Sequence, residues 1–297
     1  MNRASILIVV KNDLRISRLM VSLMDQKNIS KNDFEIIIVE NGSNIISNII
    51  KQYSKHLNIK YYHLDKSNMP MARNYALKKA RSNIVLFTDA DCIVDKNWVH
   101  EVIKYFSLNP NIVGVGGMIK RFYPKTLVEK YASNLVNNQQ KLNYLHILQY
   151  PYVVGANSAF RKDALISIGG FDETLLSGND VDICYKLGLK NYKISICNSA
   201  IVYHENRNNI FAHFRRFYKY SIYQALLFKK YKRISNTNIL INPYPYKCLI
   251  KSIGYIFCSI IQFDFTYIFR SYFLIIEGLG VFLGNIHGAI KFHVMYF

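Results

Sequence analysis

Paired cysteines are missing from this chain. There are five, at positions 92, 184, 197, 248 and 258, in 297 residues. They form no Cys-x-x-Cys pair and show no metal-knuckle spacing. An odd, scattered set in a chain this long argues against a disulfide scaffold and fits a reducing compartment. Acidic residues are also scarce: 19 Asp+Glu stand against 38 Lys+Arg, a formal net charge of +19. No clean run of 18 apolar residues occurs, so a confident membrane span is not expected. The only early apolar stretch, Ile6 to Val10, is too short for a signal peptide and runs straight into Lys11, Asn12 and Asp13. Hydrophobic residues are not lacking. At 51% of the chain they exclude disorder and supply a real core.

The first 205 residues alternate two periodicities. Ile6–Val10, Phe34–Val39, Ile59–Tyr62 and Ile84–Phe87 are short apolar runs of the kind buried parallel strands need. Between them lie helical faces: Ile16, Leu19, Met20, Leu23 and Met24, then Ile45, Ile46, Ile49 and Ile50, then a helix opened by Pro70. This order predicts an α/β layer structure with parallel strands. In such sheets a ligand site lies beyond the carboxyl ends of the strands. Polar residues stand at three of those ends: Asn12 and Asp13, Glu40 and Asn41, Asp89 and Asp91. Loop polarity and helix capping explain any one of them.

Phe87-Thr88-Asp89-Ala90-Asp91 is the sharpest signal. Alternate carboxylates at a strand tip suit a hard divalent cation, Mn²⁺ or Mg²⁺. The surroundings extend it. Glu40-Asn41-Gly42-Ser43 follows strand two. Pro70-Met71-Ala72-Arg73-Asn74 opens a helix. Gly155-Ala156-Asn157-Ser158-Ala159-Phe160-Arg161 precedes Gly169-Gly170-Phe171-Asp172-Glu173. Asn179-Asp180-Val181-Asp182-Ile183-Cys184 and Val202-Tyr203-His204 complete the series. Together these motifs resemble a family 2 glycosyltransferase of the GT-A fold, of the bacterial surface-polysaccharide type, over residues 4–205.

The resemblance implies transfer of a sugar from a nucleotide-diphospho-sugar, UDP-sugar favoured, with inversion. Negative charge then grows on the departing diphosphate, and a divalent cation neutralises it. By resemblance Asp91 is the main metal ligand and His204 a second. Asp89 touches the ribose and reaches the metal through water. Asp180 matches the base that deprotonates the acceptor hydroxyl. Val10, Asn12, Glu40 and Arg73 match nucleotide-binding positions, and Gly155, Asn157, Asp172 and Asn179 the acceptor side. Asn179 stands where the family has Glu, and an amide cannot act as a base. That substitution leaves open a degenerate, non-catalytic sugar-nucleotide-binding or scaffold protein. A sugar nucleotidyltransferase would need a glycine-rich phosphate loop after strand one, and Val10-Lys11-Asn12-Asp13 has no glycine. Trp98 falls where a helix opens and is expected to pack rather than stack on a sugar.

Residues 206–297 differ in character. They carry twelve Lys+Arg against Asp264 and Glu277 alone. Phe211, Phe214, Tyr218, Ile222 and Ala225 fall at helical spacing among Arg215, Arg216, Lys219, Lys229 and Lys230, a basic amphipathic helix from about 207 to 233. A loop spans 234–246 and an apolar tail runs from Cys248 to Ile290, read as two in-plane or re-entrant helices, with one tilted span near 271–290 as the alternative. The division expected is a GT-A catalytic domain at 1–205 and a helical, membrane-associating region at 206–297. The basic helix is expected to lie on an anionic membrane surface at the cytoplasmic face, near a glycan or lipid-linked acceptor. No nucleic-acid motif accompanies it. Packing of the tail on the catalytic domain or a second subunit is the structural alternative.

Overall fold

The computed structural model describes residues 3–122, 126, 128–131, 142–145, 147–205, 209–235 and 240–296. Two compact units emerge: residues 1–122, 136–145 and 149–205 form one, and residues 123–135, 146–148 and 206–297 form the other.

The first unit is built on an eight-stranded sheet in the order β3-β2-β1-β4-β9-β6-β10-β5. Strands β1 (Ala4–Val10), β2 (Phe34–Glu40), β3 (Ile59–His63) and β4 (Ile84–Asp89) run parallel, as the apolar runs predict. Alternate residues of β1 and β2 feed two cores. Ile6, Ile8, Val10, Ile36 and Ile38 pack toward α1 (Ile16–Met24) and α4 (Trp98–Leu108). Leu7, Ile37 and Val39 pack toward α3 (Met69–Lys79). Helix α2 (Ser47–Tyr53) buries Ile50 in the first core. Burial on both faces leaves these strands no polar alternation. Asn68 caps α3 by accepting from the Met71 N–H, with Pro70 in its first turn.

Sequence periodicity did not foretell the sheet's other half. Strand β9 (Asn157–Arg161) lies antiparallel between β4 and β6 (Ile112–Arg121), so the sheet is mixed. Strand β10 (Lys193–His204) runs parallel to β6, and short β5 (Cys92–Val94) returns antiparallel along β10. β7 (Asn143–Leu145) and β8 (Leu148–Tyr152) make a separate two-stranded ladder. Helices α5 (Lys162–Ser167) and α6 (Asn179–Leu189) follow β9.

The β6–β10 register shifts between Cys197 and Ile201. Asn157 pins that bulge. Its amide donates to the carbonyls of Met118 and Ala200, both at 2.9 Å, and its oxygen accepts from Trp98 Nε1 at 2.9 Å. Asn157 is only 2% exposed, and a Cβ at Gly117 would lie 2.3 Å from its amide nitrogen. The expectation that Asn157 meets the acceptor is therefore corrected: its polar atoms are spent inside the sheet. Trp98 packs in the core, as expected.

The second unit holds α7 (Ile210–Tyr231), α8 (Tyr244–Gln262) and α9 (Thr266–Phe292). Arg207 and loop residues 236–239 lie outside the described residues. Gly280, Gly284 and Gly288 of α9 form a row against the α7 backbone. A Cβ at Gly284 would stand 2.4 Å from the Tyr218 carbonyl oxygen, so only glycine permits this approach. Between the helices His213 Nε2 and Glu277 Oε1 pair at 2.8 Å, both fully buried, and Tyr244 donates to the other Glu277 oxygen at 3.0 Å. Burying polar groups like these is costly unless they are hydrogen-bonded to each other. The basic helix thus spends Ile222 and Ala225 on protein contacts, while Phe211 is exposed. The C-terminal half of the stripe expected on a membrane is spent inside the protein.

Two outcomes follow from this packing. Asn157→Ala strands the Trp98 N–H and two carbonyls and should cost about 3 kcal/mol, read as a lowered urea midpoint in the fluorescence of the sole tryptophan. Gly284→Val should unfold the helical unit first, seen as loss of hydrogen-exchange protection in α7 and α9 while the sheet keeps its protection.

Candidate active site

The carboxyl ends of β1, β2 and β4 meet the end of β10. Register explains why. Val9 lies opposite Asp89, and β5, folding back just after Asp91, sets Cys92 opposite His204. Residues distant in sequence therefore converge: Asp91 Oδ1 lies 3.6 Å from His204 Nε2. Their side chains are 12% and 24% exposed, so both remain open to a ligand.

One ligand atom each from Asp91, Cys92 and His204 falls within 4.8 Å of the others. Cys92 is buried, and burial, followed by the charges of Asp89 and Asp91, pushes its thiol pKa well up. A protonated thiol is a poor ligand for a hard cation. The carboxylate and imidazole fit a divalent ion, with coordination left for ligand oxygens and water. Asp89 turns the other way, its Oδ1 3.7 Å from Arg73 Nη2.

A second network links Asp89 to α6. Arg73, 8% exposed, also donates through Nη1 to Asn179 Oδ1, and its guanidinium lies over the Phe171 ring. Gly155 sits against the same guanidinium, where a Cβ would come 3.1 Å from Nη2. The Gly155 N–H donates to Asp180 Oδ2 at 3.2 Å, and the Val181 N–H to Asp180 Oδ1 at 3.0 Å. Asp180 thus stands half-buried in the first turn of α6, where the helix dipole favours a carboxylate. Neighbouring Asp182 is fully buried and paired with Lys186 at 3.1 Å.

Other expected residues are placed differently. Glu40 is fully buried and accepts from the Tyr61 hydroxyl at 2.6 Å and the Ile45 N–H at 3.2 Å. It braces the turn after β2 instead of facing a nucleotide base, and its pairing with Tyr61, after burial, pushes the phenol pKa up. Asn12, with φ of 51°, accepts from the Ser43 N–H at 2.6 Å and so holds that same turn. The Val10 side chain is buried and its carbonyl accepts from the Asn41 N–H. Asp172 accepts from the Thr174 N–H and hydroxyl, a local turn.

Arg15, Arg18 and Glu205, which gather around Asp13 beside Asp91 and His204, escaped sequence reasoning. Arg15 forks onto Asp13, with Nε at 2.9 Å and Nη2 at 2.6 Å, and Nη2 reaches within 3.5 Å of Asp91 Oδ2. Its Nη1 donates to Glu205 Oε2 at 3.1 Å, which also accepts from Arg18 at 2.5 Å. Burial alone would raise the pKa of Asp13 and Glu205. The arginine bonds and charges outweigh it and hold both below their ordinary values. The available signal was the Asp13-x-Arg15-x-x-Arg18 spacing at a helix start, together with Glu205 directly after His204.

Several known proteins are similar to this chain. The pre-mycofactocin glycosyltransferase of Mycobacterium tuberculosis is 27% identical over 180 residues, covering 59% of this chain and 38% of the relative. The chain thus matches well under half the length of that relative. A mannosyltransferase from Pyrobaculum calidifontis, solved with GDP-Man and Mn²⁺, superposes with a TM-score of 0.69 at 15% identity, covering 96% of this chain and 87% of that one. Staphylococcus aureus TarS 1–349 in complex with UDP-GlcNAc gives 0.55 at 16% identity, covering 99% and 93%. These structures share the fold. Residues 5–169, more than half of the chain, match the family described as glycosyl transferase family 2, and the chain belongs to that family.

Proposed function

We propose that this protein is a metal-dependent, inverting glycosyltransferase that moves a sugar from a UDP-sugar to a hydroxyl of a lipid-linked or growing surface glycan. The observation that carries the reading is the 3.6 Å approach of Asp91 to His204 at the carboxyl end of the sheet. A solved neighbour at TM-score 0.69 holds GDP-Man and Mn²⁺, and another at 0.55 holds UDP-GlcNAc. The O-antigen chain rhamnosyltransferase WbaN of Salmonella anatum, 24% identical over 199 residues, supports a surface-glycan acceptor.

In this reading Asp91 and His204 hold Mn²⁺ or Mg²⁺. The ion, when bound, offsets the charge that grows on the leaving diphosphate. Arg73 orients Asp89 toward the nucleotide and ties it to Asn179 in α6. Asp180 accepts the acceptor's proton. Each of its oxygens takes one backbone N–H, which fixes the carboxylate and leaves lone pairs free. Gly155 lines the acceptor side, where a Cβ would crowd the Arg73 guanidinium at 3.1 Å. The enzyme works at the cytoplasmic face of an anionic membrane, supported by the twelve cations of residues 206–297 and the exposed apolar side chains of α8 and α9.

Nucleotide binding tests the reading without the acceptor. UDP with Mn²⁺ should raise the melting temperature, and Asp91→Ala should abolish the Mn²⁺-dependent part. A shift with GDP or dTDP alone would change the donor, and no shift with any nucleotide would favour the non-catalytic scaffold. Asp180→Asn should keep the UDP shift and lose transfer by about 10²–10⁴-fold. Full transfer by that variant would remove Asp180 as base.

A further inference from the structure

We propose that α8 and α9 form a hairpin that lies flat in one leaflet, with a single apolar face in the acyl chains, and that neither helix crosses the bilayer. The proposal deepens the membrane reading above by naming the surface, its depth and its orientation.

Helical periodicity places the outward side chains. On α8 Ile250, Ile253, Phe257 and Ile260 fall in one row. That row lies across the helix from Tyr244, whose ring stacks on Phe217 of α7. On α9 Ile268, Tyr272, Leu279 and Leu283 form the outward row. It lies across from Gly280, Gly284 and Gly288, which meet the α7 backbone. Both rows therefore point away from α7 and share one side of the hairpin. Ser252 and Ser271 bond at 2.7 Å and Tyr255 packs on Tyr267, so the two helices stay side by side.

This face has the chemistry of a lipid contact. Ile250 is 70% exposed, Phe257 61%, Ile261 75% and Phe263 89%. No charged residue falls in either row. With about 28 Å of α8 beside about 40 Å of α9, the surface is on the order of 600–800 Å², above the usual largest patch of a soluble monomer. Exposed cations stand beside it on α8, Lys247 and Lys251, while Lys291 of α9 turns back over the Tyr223 ring of α7. Such a rim suits anionic headgroups.

Helix α9 is long and apolar enough to cross a membrane. Its packing opposes that. Crossing would draw α7, held along the glycine row, into hydrocarbon with Arg215, Lys219 and Lys229 exposed. Insertion tip-first would carry the charge of Asp264 through the hydrocarbon. In the flat pose Asp264, which accepts from the Thr266 N–H and hydroxyl, stays at the interface. The surface is committed to lipid over a second copy of the chain because residues 206–297 carry twelve Lys+Arg against Asp264 and Glu277, and two such units face to face would repel.

The test uses the full chain with vesicles of phosphatidylcholine and phosphatidylglycerol carrying spin-labelled lipids. Tryptophan is placed singly at Ile250, Phe257, Leu279 and Leu283, and at Lys219 of α7 as a control; native Trp98 is buried and supplies a constant background. All four hairpin positions should be quenched alike, and more by a label near the headgroup than by one near the chain end. The α7 control should not be quenched. Depths graded along either helix, or stronger quenching by the deep label, would overturn the flat pose. No quenching, with a dimer in light scattering, would assign the face to a second copy. Ile250→Asp with Phe257→Asp, both on the surface, should lower vesicle partition about tenfold or more without changing the melting temperature. Unchanged partition would also sink the proposal. UDP-induced melting shifts on the same samples report the catalytic reading separately, so either can fail alone.

Discussion

The return of β5 along β10 is the constraint on which the site depends. A strand that ends in Asp89-Ala90-Asp91 would leave its carboxylates in a solvated loop. Three residues of β5 instead turn back and pair antiparallel with Val202, Tyr203 and His204. That pairing brings an imidazole to the carboxylate. It needs the end of β10 in the right register, and the bulge before Ile201 supplies it. Asn157 holds the bulge through two carbonyls, and Gly117 leaves room for it. Asn157 thus acts on His204 through the sheet.

Charge balance shapes the same end of the sheet. Asp91 faces His204 with one oxygen and Arg15 with the other. Arg15 is held in turn by Asp13 and Glu205, so its guanidinium cannot drift onto the His204 side. Across the site Arg73 meets an amide, Asn179, where the family has a carboxylate. Glutamate there would neutralise Arg73. Asparagine keeps the hydrogen bond and leaves the positive charge directed at Asp89. The departure that looked like a loss of catalytic equipment therefore reads as a change in charge distribution, with Asp180 untouched beside it.

The legible part of the sequence was the part governed by local pattern. Buried parallel strands announce themselves as apolar runs, and the first four appear where those runs fall. Order-dependent motifs singled out Asp91, His204, Asp180 and Arg73, and the fold sets Asp91 beside His204 and Arg73 beside Asp89. Strand β9 was hidden because an antiparallel strand in the sheet interior has no periodicity distinct from a buried helix. Glu40 was misjudged for a related reason. A carboxylate at a strand end reads as available, and only the fold shows that Tyr61, on the neighbouring strand, claims it. Arg15 and Glu205 lay just outside the recognised motifs, and their meaning lies in a contact between the chain's start and the end of β10.

The helical unit shows the same limit from the opposite side. The sequence of α7 is amphipathic, basic and aromatic, which equally describes a helix on a lipid surface and one covering a partner helix. What decides is the complement. A row of three glycines on α9 lets the two backbones approach, and the buried His213–Glu277 pair fixes their registration. Once α7 is spent on that contact, the apolar surface that remains belongs to α8 and to the far side of α9. Glycine spacing, which hydropathy scores as neutral, therefore determines which helix stays inside the protein and which faces outward.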